Sequence, residues 1–542
     1  MGGNDHFDVL IHGATLADGS REARLHSADV GLRGGRIVQV SPNLAGAAAD
    51  QMIDARGGIL APGFIDMHAH ADLSLISGAD ADAKLMQGVT TQVIGQDGLG
   101  YAPVNAETKE PIAQQIAGWN GPMPSDASWQ SMAEYLDRLD QGMATNAVVL
   151  TPHGNLRMMV MGNQARVATD EELVRMQDLL ATAMEEGSGG LSTGLTYTPA
   201  TYADTRELIA LCQVVADKNG YFSPHTRSYG KGALGAYREM IEVARSTGVR
   251  LHLTHATMNF PENRGRASEL LQLVDEGRGR GLQISLDTYP YTAGATSLSA
   301  LLPSWAFEGG ATALLERLSH LETRARIVHE LDEEGSDGAH GTVVDWDAQQ
   351  VASVGNPELE ALVGGTLQQI HDSEALTAVR GLPSSSPAET ALNLMIADNL
   401  ATTILMHVGH EENIVETMRD SFHTVGTDGI THGGKPHPRS WGTFARFLGH
   451  YARDLGVMSL PEAVNHMTGR AAEVLGLSDR GLVREGYVAD LVLFDPDLVQ
   501  DRATYEEPKQ IASGVRYVWI GGKPAVRDGA LAEIRAGHVL RS

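Results

Sequence analysis

The stretch Pro62-Gly63-Phe64-Ile65-Asp66-Met67-His68-Ala69-His70 decides the reading of this chain. His68 and His70 stand two apart at the end of an apolar segment. On a strand, positions i and i+2 face the same side. Two imidazoles therefore point together, an arrangement suited to a divalent metal. A lone His-X-His is a weak signal. The Pro62-Gly63 pair before it and Asp66 inside it make it more specific.

Outward from this segment, short apolar strands alternate with amphipathic helices. Ala147-Val148-Val149-Leu150 precedes a helix over residues 171–186, and Val249-Arg250-Leu251-His252-Leu253 precedes one over 267–277. Leu282-Gln283-Ile284-Ser285-Leu286 and Thr402-Thr403-Ile404-Leu405-Met406 read as further strands. This α/β alternation over residues 61–479 predicts a (β/α)8 TIM-type barrel. Residues 299–366 break the rhythm and read as an inserted subdomain over the barrel mouth. Both chain ends carry short strands with Gly-Gly turns. Phe7-Asp8-Val9-Leu10-Ile11-His12 and Arg36-Ile37-Val38-Gln39-Val40 lie at one end, Val515-Arg516-Tyr517-Val518-Trp519-Ile520 at the other. Residues 1–60 and 480–542 are expected to form one small discontinuous β-sandwich.

Composition narrows the function classes. A net charge of −27 over 542 residues argues against a nucleic-acid backbone as partner. The single cysteine, Cys212, allows no internal disulfide and reads as a buried helix residue. The start, Met1-Gly2-Gly3-Asn4-Asp5-His6, lacks the basic and apolar regions of a secretory signal. No run approaches the roughly 20 apolar residues that cross a bilayer. The expected location is cytoplasmic, with no membrane partner.

More candidate ligands stand at strand ends. His225 lies in Tyr221-Phe222-Ser223-Pro224-His225, and His255 in Leu251-His252-Leu253-Thr254-His255. His252 competes on that strand but, three positions away, is expected on its opposite side. Asp428, in Gly426-Thr427-Asp428-Gly429, is placed as a general acid/base beside a metal. Any one of these alone reads as a core histidine or a turn aspartate. Their joint placement at successive strand ends points to a hydrolytic metal centre.

Several segments together resemble the D-aminoacylase (N-acyl-D-amino-acid deacylase) family of the amidohydrolase superfamily. They are residues 62–72, Gly88-Val89-Thr90-Thr91, residues 190–199, residues 287–294, Gly426-Thr427-Asp428-Gly429, residues 437–444 and residues 486–491. The resemblance implies metal-dependent hydrolysis of a linear, non-peptide amide in a small, carboxylate-bearing substrate. It implies a divalent metal, zinc first, as one or two ions. His68, His70 and Asp428 would form one metal position, and His225 and His255 would serve the second. The metal would acidify water for attack on the carbonyl. Asp428 would take that proton and deliver it to the leaving amine. Arg439 would hold the substrate carboxylate, and Tyr289 and Tyr197 would line the pocket.

The sequence departs from the family pattern at three places. Where the family has a zinc-binding cysteine in Gly-Asn-Cys-Gly, this chain reads Gly95-Gln96-Asp97-Gly98, so Asp97 is the expected ligand. Thr257 replaces a lysine that helps hold the substrate anion, and Ala295 or Thr296 replaces a pocket serine. Other readings are a hydrolase of another linear or cyclic amide on the same site, or a metal-free scaffold. Residues 148–157 contain no lysine of the kind cyclic-amide hydrolases carboxylate, which lowers the cyclic reading. The retained histidines and Asp428 speak against a scaffold. His153, His407 and His410 have no assigned role, the last two reading as pocket-lining or structural.

Overall fold

The computed structural model describes residues 6–44, 46–79 and 81–541. Residues 1–5, on which the reading of the chain's start rests, lie outside the described residues.

Eight parallel strands form the barrel: β1 (Phe64–Asp66), β2 (Val89–Ile94), β3 (Asn146–Val149), β4 (Gly190–Gly194), β5 (Tyr221–His225), β6 (Arg250–Leu253), β7 (Ile284–Thr288) and β8 (His423–Val425). Thr151–Pro152 carries the third strand on to pair with β4. The ring closes where Met67 N–H donates to Val425 O at 3.1 Å and Ala69 bridges Gly429. The barrel helices have clear sequence origins. Asp170–Glu185 starts from a Thr169–Glu172 capping box, which satisfies its free N–H groups. Its Leu173, Met176, Leu180 and Ala183 recur at helical spacing and are buried. Leu173, Met176 and Leu180 pack in one cluster with strand residues Leu191, Phe222, Leu251 and Leu286, while Ala183 packs in another with Ala147 and Val149. Cys212 is buried in the first cluster too.

The chain ends join in one nine-stranded sheet. Its central seam pairs Ile59–Pro62 antiparallel with Leu491–Phe494. Strand alternation divides its side chains between two cores. Leu491, Leu493 and Trp519 pack with Ile11, Val30 and Leu60 inside the β domain. Val492, Phe494, Val518 and Ile520 pack against barrel residues such as Phe444 and Met467. The last residues leave this sheet. Ala147 bridges Val539 and Met143 bridges Gly537, so the tail ends on the barrel rather than in the sandwich.

The insertion is longer than the sequence rhythm indicates. It contains a three-stranded antiparallel sheet of Gly294–Ser297, Thr403–Met406 and Gln349–Ser353. The apolar strand ending at Met406 therefore belongs to the insertion and not to the barrel. Three apolar residues in a row, Ile404 to Met406, fit either sheet, and periodicity does not report the partner. Among the described residues no helix is long and apolar enough to cross a membrane.

Candidate metal centre

His68 and His70 follow β1 at the mouth of the barrel. The extended run past Asp66 is held on both sides: Ala69 N–H donates to Val93 O, and His70 N–H donates to Gly429 O. Both imidazoles are buried, and their Nε2 atoms lie 3.4 Å apart. Asp428 arrives after β8, its Oδ1 3.2 Å from His70 Nε2 and 3.6 Å from His68 Nε2. Asp97 arrives on the turn after β2. Its flanking glycines make that turn possible, both with left-handed φ. A Cβ on Gly95 would stand 2.4 Å from Leu150 O, and one on Gly98 2.5 Å from Gly194 N. Asp97 itself is left-handed, at φ 55°, and so are His255 (33°) and Asp428 (48°). Three of the six converging side chains thus depend on unusual backbone, which the surrounding fold must enforce.

Asp97 joins two groups of donors. Its Oδ1 is 3.6 Å from His68 Nε2 and 3.4 Å from His255 Nε2. Its Oδ2 is 3.5 Å from His70 Nε2 and 3.5 Å from His225 Nδ1. His68, His70, Asp97 and Asp428 form one possible metal group; Asp97, His225 and His255 form another. The separations have a physical meaning. Tetrahedral ligand atoms about 2.1 Å from a zinc ion stand roughly 3.4 Å from one another. Spacings of 3.2 to 3.6 Å are long for direct hydrogen bonds and natural for donors sharing a cation. His225 Nδ1 is buried with no hydrogen-bond partner among the described residues, which also fits a ligand position. The residues present fit a metal.

The electrostatics keep the carboxylates ionised and divide the histidines: His68 and His225 are pushed toward the neutral form, His70 and His255 toward the protonated one. Burial opposes charge on the Asp97 carboxyl, but His68, His225 and His255 outweigh it and hold its pKa well below the usual range. Burial likewise opposes Asp428, where Arg439 and His68 prevail in the same direction. Burial pulls His68 down to about 4 and lowers His225. On His70 burial loses to the two facing carboxylates, Asp428 and Asp97, and the value stands at about 9, so a metal must displace a proton there.

A second layer of polar groups orients the ligands. Buried Asp287 accepts the His255 backbone N–H on Oδ1 at 2.8 Å. Its Oδ2 accepts from Thr254 Oγ1, which also bonds His68 Nδ1. His252 Nε2 meets that same Oδ2 at 2.8 Å. The expectation that His252 faces away from His255 therefore needs correction. β6 ends at Leu253, the chain kinks at His255, and one carboxylate binds both residues. His225 Nε2 bonds Thr196 Oγ1 at 2.8 Å. Under β1 and β8, buried Asp66 takes Lys84 Nζ and Thr427 Oγ1, each at 2.7 Å. These anchors tie His68 to Asp428. Sequence reading missed Asp287, Thr254 and Lys84; the one available signal was a charged residue inside an apolar stretch.

Tyr197 and Tyr289 line the cleft beside the donors, as do Thr257, Ala295 and Thr296. Tyr197 Oη bonds Thr296 Oγ1 at 3.0 Å, linking barrel to insertion. Arg439 does not line the cleft. It is fully buried behind Asp428, with Nη2 2.9 Å from Asp428 Oδ2, and its guanidinium stacks 4.5 Å from the Tyr289 ring centre. Its Nε and Nη1 have no hydrogen-bond partner among the described residues. His153 is bonded to Glu207 and Thr193 in a buried network that includes Arg157. His407 bonds Gln350, and His410 bonds Phe260 O; neither joins a metal group.

Comparison with known proteins agrees with this geometry. Residues 51–526 match the model of the Amidohydrolase family, and the chain belongs to that family. The D-aminoacylase of Alcaligenes xylosoxydans xylosoxydans is 34% identical over 535 residues, covering 98% of this chain and 97% of that one. A D-aminoacylase structure studied for its binuclear metal centre superposes with TM-score 0.81 at 31% identity, covering 99% of this chain and 100% of that one. The N-acyl-D-glutamate deacylase of Bordetella bronchiseptica, solved with zinc and a phosphonate mimic of the tetrahedral intermediate, superposes with TM-score 0.82. It is 30% identical, over 99% of this chain and 100% of that one. The protein is a metal-dependent amidohydrolase with a (β/α)8 barrel and a β-sandwich domain.

Proposed function

We propose that this enzyme deacylates N-acyl-D-amino acids, using zinc held by His68, His70, Asp97, His225, His255 and Asp428. The observation that carries the reading is the Asp97 carboxylate, whose two oxygens face histidines of both donor groups. When bound, zinc acidifies water and polarises the amide carbonyl. The protein's own groups do the rest. Asp428 Oδ1 faces the donor cluster, so it takes the proton of the attacking water and returns it to the leaving amine nitrogen. Arg439 holds Asp428 ionised, and its unpartnered Nε and Nη1, one layer behind the cleft wall, meet the substrate carboxylate when the Tyr289 ring turns off the guanidinium. Tyr289, stacked on that guanidinium, and Tyr197 close the cleft walls. Thr257 brings no charge, so the anion anchor rests on Arg439 and Tyr289.

The test is stereochemical. Metal-stripped protein, reloaded with zinc, is assayed on N-acetyl-D- and N-acetyl-L-methionine beside a hydantoin. Zinc-dependent hydrolysis of the D-compound supports the reading. Turnover of the hydantoin or the L-compound alone overturns it.

A further inference from the structure

We propose that the barrel carries, at the strand ends opposite the metal centre, a binding site for a small carboxylate with an apolar body. The proposal does not depend on the reaction at the metal centre.

The site is a cavity of about 430 Å³. Its walls come from three parts of the chain. Tyr221, Arg250 and Ile284 are the first residues of β5, β6 and β7, and Phe422 stands just before β8. Arg470 and Val474 belong to the helix Gly469–Leu475, and Arg21 to a turn of the β domain. The metal donors stand at the other face, where His225 ends β5 and His255 follows β6. Barrel chemistry is built on that other face, so a pocket at the strand starts has no part in it. A cavity of this size is large enough for a small organic molecule.

The charge pattern points to an anion. Four arginines border the cavity, Arg21, Arg250, Arg278 and Arg470, against one acid, Glu473. On a chain of net charge −27 the sign is locally reversed. Two of the four are balanced: Arg21 pairs with Glu473 at 2.6 Å, and Arg278 with Asp420 at 2.7 Å. The other two have no carboxylate partner among the described residues. Arg250 donates to the carbonyls of Asn219, Gly220 and Val474, and Arg470 donates to Asn465 Oδ1 and Asp420 O. Those bonds fix both guanidinium groups and leave their charge unmatched. Burial, with Arg21 adding to it, pulls the Arg470 pKa down to about 10. Tyr221 is buried at the cavity, and its hydroxyl has no hydrogen-bond partner among the described residues. A bound carboxylate supplies the missing counter-charge and an acceptor for that hydroxyl.

The remaining wall decides the kind of anion. Leu251, Leu282, Ile284 and Val474 are aliphatic. The Phe422 ring centre lies 4.5 Å from the Arg278 guanidinium and 5.1 Å from that of Arg21. Guanidinium forks and apolar carbon in one cavity match a carboxylate carried on an aliphatic or aromatic body. A compact anion such as phosphate would leave the apolar wall unused.

The experiment titrates the zinc-loaded full chain with phenylacetate in a calorimeter, beside phenylethanol and inorganic phosphate. The parent should bind phenylacetate saturably, at least about tenfold more tightly than the alcohol or phosphate. Arg470→Gln should weaken that binding at least about tenfold. Leu282→Glu should do the same, because it sets a like charge at a half-buried wall position and leaves the four arginines in place. Phenylacetate held at the metal would persist in both variants, so it does not mimic this result. No binding by the parent at millimolar concentration would overturn the proposal, as would unchanged affinity in either variant that folds. Preference for the alcohol or for phosphate would overturn the ligand class.

Discussion

Arg439 Nη2 lies 2.9 Å from Asp428 Oδ2, while the other oxygen of that carboxylate faces His70 Nε2 at 3.2 Å. One aspartate is thus held between a buried guanidinium and the donor cluster. That position keeps it ionised and aimed. Asp428→Asn preserves the shape but removes the proton acceptor. Its kcat should fall by about 10²- to 10⁴-fold in a variant that still folds, with a lowered melting temperature because buried Arg439 loses its counter-ion. Steady-state kinetics with a thermal melt checks this, and near-normal turnover would remove Asp428 from the mechanism.

Arg439 bears on the acid side of the pH profile. Burial alone would raise the Asp428 pKa; Arg439 is the largest opposing influence. Removing the cation must therefore let the pKa rise, so the acid limb of kcat/KM moves to higher pH in Arg439→Met. Arg439→Lys keeps the charge and loses the fork. It should restore the limb while retaining a raised KM. Profiles of the two variants separate the electrostatic role from the carboxylate-binding role.

The pair of Lys84 Nζ and Asp66 Oδ2, 2.7 Å apart, is buried at the seam of β1 and β8. Lys84→Met leaves the Asp66 carboxylate without its cation. The loss should be about 3–5 kcal/mol of stability, read from urea unfolding. The double variant Lys84→Met, Asp66→Asn should recover much of it. A single variant as stable as the parent would contradict the assignment.

Below the site, His423 Nδ1 meets His466 Nδ1 at 3.0 Å, and both rings are buried. Burial pulls His423 down to about 3 and His466 well below its ordinary value. The folded state therefore resists protons that the unfolded chain accepts near pH 6.5. Stability from these groups is full above that pH and is lost as pH falls from 6.5 toward 3. The urea midpoint of metal-free protein should drop between pH 7 and 5, less steeply in His466→Asn. Identical slopes would contradict this account.

What could be read from the sequence followed from local pattern. His68 and His70 stand at alternate positions of an extended run, and Asp428 stands in a strand-end turn, so their convergence follows once a barrel is recognised. Asp97 was legible only through the family resemblance, as the residue standing where that pattern has its zinc-binding cysteine. Asp287 and Lys84 were not, because each makes its bonds to residues distant in sequence. His252 was misplaced because alternation assumes a strand that continues, whereas the backbone turns left-handed at His255. The strand ending at Met406 was assigned to the wrong sheet for a related reason: apolarity reports burial and says nothing of partners.

Metal stoichiometry tests the central claim most directly, because one carboxylate, Asp97, stands between both donor groups. Purified protein and Asp97→Ala are stripped, titrated with zinc and weighed for bound metal by mass spectrometry. The account predicts that the parent binds up to two ions and that Asp97→Ala loses at least one, with weakened affinity for any that remains. Unchanged stoichiometry and affinity in Asp97→Ala would contradict it.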